Sequence, residues 1–237
     1  ASAWWRLLAR NRFAVEWPYL YIAAVDSMTS LLNSTLRLVD RAIYGRAVAR
    51  TEITEPPIFI IGHWRSGTTL LHELLVLDER HTSPNNYQCF SPNHFLLTEK
   101  LFTRWFRFLM PERRPMDNMA VGWNTPQEDE FALCNLGQPS PYLTIAFPNR
   151  PQAYPEYMDL EGLPPQAVEA WKQALLIFFK QLTYKTRKRL VLKSPLHACR
   201  IKVLMELFPG AKFINIVRNP YVLYSSTMHM WKKMYAN

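Results

Sequence analysis

One junction constrains this chain more than any other: Ile58-Phe59-Ile60-Ile61 runs straight into Gly62-His63-Trp64-Arg65-Ser66-Gly67 and then Thr68-Thr69-Leu70-Leu71. The first four residues are β-branched or aromatic and follow Pro56-Pro57, the pattern of a short strand buried on both faces. Ser66, Thr68 and Thr69 offer hydroxyl and capping chemistry for the apolar helical run that follows. A strand, a glycine turn and a helix start bring several backbone N–H groups to one spot, where the helix dipole favours an anion. The junction predicts an anion cradle inside an α/β domain.

The rest of the chain supplies such a domain. With 237 residues, 49% of them apolar, it can fill one α/β core with a helical appendage. Residues 1–50 are expected to form an N-terminal helical extension, and 51–237 the α/β domain. The extension carries Trp4, Trp5, Leu31, Leu32, Leu36, Leu38 and Val39 at helical intervals, punctuated by arginines. Trp17 to Val25 is too short to span a bilayer, and packing on the domain is the expectation for these helices. Peripheral membrane contact through tryptophan and arginine is the alternative. After the cradle, a helix to Leu77, a polar loop from Asp78 to Asn86 and a partly helical aromatic stretch from Phe90 to Met110 are expected. Pro111 to Pro115 ends that stretch, and Met116 to Thr125 reads as loop. Pro126 opens a helix whose first turn holds Glu128, Asp129 and Glu130. Pro139 to Pro155 is a connection, and Gln166 to Arg187 a long helix with Val168, Trp171, Leu175, Phe178, Phe179 and Leu182 on its apolar face. Leu190 to Leu192 and Phe213 to Val217 read as buried strands, each followed by a helix, His197 to Phe208 and Tyr221 to Met234. Alternating strands and helices imply parallel pairing, with ligands beyond the carboxyl ends of the strands. Gly62 to Thr69, Lys193-Ser194 and Arg218-Asn219 all fall at such ends.

The formal charge of +9 favours anionic partners, but no nucleic-acid motif is present and no nucleic acid is expected. The clusters Arg113-Arg114 and Lys185 to Arg189 read as solvated surface. Cys89, Cys134 and Cys199 are scattered, which fits a reducing, cytoplasmic setting rather than a disulfide framework. His72-Glu73 lacks the second histidine of HExxH, since Val76 stands there, so no metal is expected.

Gly62-x-x-x-x-Gly67 has the spacing of a nucleotide phosphate loop, yet Thr68 and Thr69 stand where lysine and serine or threonine should follow. An atypical kinase using ATP therefore remains open, as does a non-catalytic membrane-surface protein. Arg65-Ser66-Gly67-Thr68-Thr69-Leu70-Leu71 resembles the 5′-phosphosulfate loop of sulfotransferases that use 3′-phosphoadenosine-5′-phosphosulfate (PAPS). Arg218 and, eight residues on, Ser226 resemble that family's 3′-phosphate motif. Lys193-Ser194-Pro195-Leu196-His197 and Phe208-Pro209-Gly210-Ala211 are similar to its bacterial, tyrosylprotein-sulfotransferase-like members.

The resemblance implies a nucleotide-kinase-like three-layer fold around a central parallel sheet, and metal-free in-line transfer of a sulfuryl group to an acceptor hydroxyl. The acceptor would be a glycolipid, polysaccharide or small metabolite. By the same resemblance Arg65, Ser66, Gly67, Thr68 and Thr69 hold the 5′ end of the donor, Arg218 and Ser226 its 3′-phosphate, with Lys193 nearby. Arg65 also offsets charge on the departing nucleotide. For the base that takes the acceptor proton, Glu128 and Glu130 rank first, Glu73 next and His197 last. Gln88 stands nearest the position from which the tyrosylprotein-like branch takes its glutamate, and an amide is no base. Family members continue past the point where Asn237 ends this chain, through a loop over the nucleotide, so the domain is expected to be incomplete at that end.

Overall fold

A computed structural model of the chain describes residues 1–106, 108 and 119–235, the last without its side chain. The readings at Met110, Pro111 to Pro115, Met116 to Asn118, Arg113-Arg114 and Asn237 lie outside the described residues. Helices α1 (Ser2–Arg10) and α2 (Leu20–Ala49) precede strand β1 (Ile58–Ile61) and helix α3 (Thr68–Val76). Then come β2 (His81–Thr82), α4 (Asn86–Phe90), α5 (Phe95–Trp105), α6 (Asp129–Leu136) and α7 (Pro165–Thr186). The chain continues through β3 (Arg189–Lys193), α8 (Ile201–Leu207), β4 (Lys212–Asn215) and α9 (Pro220–Tyr235).

The four strands are parallel, in the order β2-β3-β1-β4. Side chains alternate across a strand, and in β1 this separates two cores. Phe59 and Ile61 join Leu190 and Leu192 against Trp171, Leu175, Phe178, Phe179 and Leu182 of α7. Ile58 and Ile60 join Val191 against Leu71, Leu75 and Val76 of α3. Helices thus cover both faces, the expected three-layer α/β arrangement, and β1 is buried along its whole length. Ile60 pairs with Lys193, and Ile61 with Asn215, so the loops after β1, β3 and β4 leave the sheet on the same edge.

Four readings need correction. Asp78 to Asn86 is not all loop: His81 and Thr82 add a short strand beside β3, and Asn85 caps α4. The cap is a capping box, in which Asn85 accepts from the Gln88 N–H and Gln88 accepts from the Asn85 N–H. Helix α6 begins at Asp129 rather than at Pro126. Phe213 to Val217 is not a second buried strand. β4 has one sheet neighbour among the described residues, and Val217 is 82% exposed. His197 to Phe208 is not one helix either, because a 3₁₀ turn over Pro195–Cys199 precedes α8 and Arg200 leaves helical geometry between them.

The N-terminal helices are tied to each other and to the domain by hydrogen bonds. Trp4 Nε1 of α1 donates to Ser27 Oγ of α2 at 2.9 Å, while on the domain His94 Nε2 pairs with Asn33 Oδ1 at 3.0 Å and the Leu97 N–H donates to Asp40 at 3.2 Å. Asp40 is buried, and burial pushes its carboxyl up to about 6 against the weaker opposing pull of that N–H. The folded chain therefore holds the proton more tightly than the unfolded chain, whose value is 3.8. The protonated form favours folding: this contribution is complete below 3.8 and is lost as pH rises through about 6. Asp40→Asn keeps an acceptor for Leu97 and removes the charge. It should stabilise the fold by on the order of 2–3 kcal/mol near neutral pH and by less than about 1 kcal/mol near pH 4. Denaturant titrations at the two pH values check this, and a gain that does not shrink in acid would refute it.

Candidate active site

The β1–α3 loop owes its shape to its backbone. Gly62 has φ 150°, and a Cβ there would stand 2.7 Å from the Ile216 carbonyl oxygen, so only glycine lets the loop leave the sheet beside β4. Gly67 at φ 106° precedes α3, and a Cβ there would meet nothing within 4 Å. The loop mouth is open, and no side chain caps the first turn of α3. Its early N–H groups are thus left for an external acceptor. Ser66 and Thr68 are buried, with Ser66 Oγ donating to the His63 carbonyl at 2.7 Å.

Arg65 is the strained member, a non-glycine residue at φ 68°, a conformation that costs of order 1 kcal/mol or more. That turn carries its guanidinium to α9, where Nε donates to Ser226 Oγ at 3.2 Å. Its carbonyl accepts from Arg218 Nη1 at 2.8 Å. Arg65, Arg218 and Ser226, as many as 161 positions apart, therefore form one cluster across the ends of β1 and β4. Beneath the loop, His72 donates from Nε2 to the Val191 carbonyl at 3.1 Å and pins α3 to β3. Burial, and then the charge of Lys193, hold this imidazole down at about 4, so it stays neutral.

The acidic cluster meets three basic side chains in turn. Glu128 Oε1 accepts from Lys193 Nζ at 2.5 Å, and its Oε2 accepts from the Tyr142 hydroxyl at 2.5 Å. Asp129 Oδ2 lies 2.8 Å from His197 Nε2, both side chains fully buried. Glu130 takes Arg200 Nη1 at 2.5 Å and Ser140 Oγ at 2.5 Å, again with both ion-pair partners fully buried. Arg200 also reaches the carbonyls of Tyr157 and Met158, and its guanidinium sits 4.9 Å from the Trp171 ring centre.

These contacts sort the candidate bases. Glu128 lines a cavity of about 520 Å³ whose wall also includes Trp64, Phe131, Tyr142, Leu196 and Trp231. Glu130 and His197 do not line it. Both are sealed in the core, because each opposes a buried group that needs it. Glu73 stands on α3, also outside the cavity wall. Lys193 is buried against Glu128, so its ammonium is engaged with the carboxylate in this structure. Gln88 donates to Glu99, which is also held by Lys185 at 2.5 Å, while Arg189 donates to the Pro56 carbonyl. Part of the 185–189 cluster is thus fastened to the fold rather than freely solvated.

Tyr142 escaped sequence reading because nothing in the proline-rich connection points at Glu128 from 14 residues away. Burial, and then the adjacent Glu128 charge, push its phenol well above the ordinary value, which keeps it a hydrogen-bond donor. The two methionines and Trp231 that α9 adds to the cavity were likewise invisible. Only a helical wheel of α9, anchored on Ser226, would have suggested them.

Known proteins resemble this chain in sequence and in fold. The chain is 55% identical over 234 residues to omega-hydroxy-beta-dihydromenaquinone-9 sulfotransferase Stf3 of Mycobacterium bovis, covering 99% of this chain and 60% of that protein. The same figures hold for the protein of that name from Mycobacterium tuberculosis. The chain thus spans less than two thirds of the length of these relatives. The fold matches the crystal structure of sulfotransferase STF9 from Mycobacterium avium with a TM-score of 0.61 at 20% identity, over 83% of this chain and 51% of that one. It matches sulfotransferase STF1 from Mycobacterium tuberculosis with a TM-score of 0.51 at 17% identity, over 86% and 63%. These likenesses establish the P-loop kinase-like fold. Residues 56–236 match the model of the sulfotransferase family, and the chain belongs to that family.

Proposed function

We propose that this chain carries the donor site and the catalytic carboxylate of a sulfotransferase that moves a sulfuryl group from PAPS to the hydroxyl of an apolar acceptor. The observation that carries the reading is the convergence of Arg65, Ser226 and Arg218 at the mouth of an uncapped helix. An anion at the α3 N-terminus and a second phosphate at Arg218 fit a nucleotide bearing phosphate at both ends. The donor supplies an activated sulfuryl group, and the rest is positioning and charge. The N–H groups of Ser66 to Thr69 hold the 5′ end, and Arg65 offsets charge that builds on the departing nucleotide. Glu128 takes the acceptor proton as the acceptor oxygen bonds to sulfur.

The wall of Trp64, Phe131 and Trp231 beside Glu128 supports an apolar acceptor. The relatives' name suggests an omega-hydroxylated menaquinone, and we extend that class to this chain. Residues 1–50 serve as a helical extension of the 51–237 domain, supported by the side-chain contacts of α2. Three free cysteines suit the cytoplasm.

The test compares binding of 3′-phosphoadenosine-5′-phosphate with that of magnesium ATP by calorimetry. The bisphosphate should bind more tightly by at least about tenfold, and Arg218→Ala should remove that preference. Arg65→Ala should lower transfer by roughly 10²–10³-fold. Equal binding of ATP, with phosphoryl transfer to any acceptor, would sink the assignment in favour of a kinase.

A further inference from the structure

Helix α2 is mounted inside out. A soluble helix ordinarily turns its apolar stripe to the core. Here the side packed on the domain carries Asn33 and Asp40, which are tied to His94 and the Leu97 N–H, while Ser27, on the flank, holds Trp4 of α1. The opposite side carries Tyr21, Met28, Leu31, Leu32 and Leu38, at the three-, four- and seven-residue steps that keep side chains on one helical face, and Trp17 stands on the 3₁₀ turn just before the helix. All six are exposed, with Trp17 at 85%, Met28 at 71% and Leu38 at 70%. The polar ties fix the rotation, so the helix cannot bury this stripe by turning about its axis. At about 1.5 Å per residue the stripe runs for roughly 25 Å from Tyr21 to Leu38, far larger than the scattered apolar residues of an ordinary surface.

Charge and composition indicate what covers it. Within residues 1–50 there are seven arginines and three acids. All seven arginines are exposed, although Arg6 and Arg37 edge the cleft beside His94 and Arg10 lies over the Tyr154 ring, whereas Asp40 is buried, Asp26 half-buried and only Glu16 exposed among the acids. Trp17, Tyr19 and Tyr21 gather at one end, where an amphipathic ring suits the boundary between headgroups and acyl chains. No helix among the described residues is long and apolar enough to cross a membrane. We infer that the outer face of α2 is a docking surface for an anionic phospholipid bilayer, with the helix lying in the interface plane and the exposed arginines not held against the domain side on the headgroups. The inference does not depend on the proposed reaction.

The purified chain is floated with vesicles of phosphatidylcholine alone and of phosphatidylcholine with phosphatidylglycerol. It should rise with the anionic vesicles and largely stay behind with the neutral ones. Leu31→Asp with Leu38→Asp should cut anionic-vesicle binding by at least about tenfold, and Met28→Glu alone by a smaller factor. These side chains face outward, so melting temperature and donor-nucleotide binding should be unchanged. A chain that stays in the soluble fraction with both vesicle types overturns the proposal. So does a dimer that the double substitution converts to monomer, which would make a second copy the occupant.

Discussion

Glu128→Gln should lower transfer to the acceptor by roughly 10²–10⁴-fold while leaving donor-nucleotide affinity near its original value. Of the acidic residues at the start of α6, Glu128 alone lines the cavity. Its two oxygens each accept one bond, from Lys193 and Tyr142, and each keeps a further lone pair for an acceptor hydroxyl. On the proposed reading Lys193 and Tyr142 are positioning residues. They fix the carboxylate plane. Glutamine preserves shape but cannot take a proton, and it leaves Lys193 buried without a counter-charge. Pairing Glu128→Gln with Lys193→Met separates the two effects, since the double variant restores charge balance without restoring a base. Single-turnover transfer should stay low in both. Recovery in the double variant would mean that Glu128 serves only to neutralise Lys193, and the base would have to be sought elsewhere.

Much of the proposed donor site was legible in the sequence because its signals are local. A buried run, two glycines and a helix start lie within fourteen consecutive residues, Ile58 to Leu71, and the structure places Arg218 and Ser226 on Arg65. The proposed acceptor side was not legible, because its order comes from pairs 65 to 70 positions apart. Glu128, Asp129 and Glu130 read equally well as helix N-terminal charges, and Asp129 and Glu130 do occupy the first turn of α6. What separates them is which side chain the 193–200 segment sets opposite each. Lys193 leaves Glu128 at a cavity wall, while His197 and Arg200 draw Asp129 and Glu130 into the core. The periodicity of α2 was also visible, but not which side faces in. That depended on Asn33 and Asp40 finding partners on α5 and in the residue before it.

The largest stability effect follows from the same sorting. Glu130→Ala should destabilise the fold by about 3–5 kcal/mol, because it strands a fully buried guanidinium. For a chain of this size that corresponds to a fall in melting temperature of roughly 10 °C. Replacing both partners, Glu130→Ala with Arg200→Leu, removes the stranded charge and should recover part of the loss. Recovery stays incomplete because the Tyr157 and Met158 carbonyls lose their donor. Denaturant unfolding measures both variants, and single-turnover transfer per folded molecule supplies the second readout. If Glu130 is structural, as its burial indicates, transfer per folded molecule stays near wild type while stability falls. A Glu130→Gln variant that unfolds like wild type but loses transfer would reverse this assignment and return Glu130 to the candidate bases.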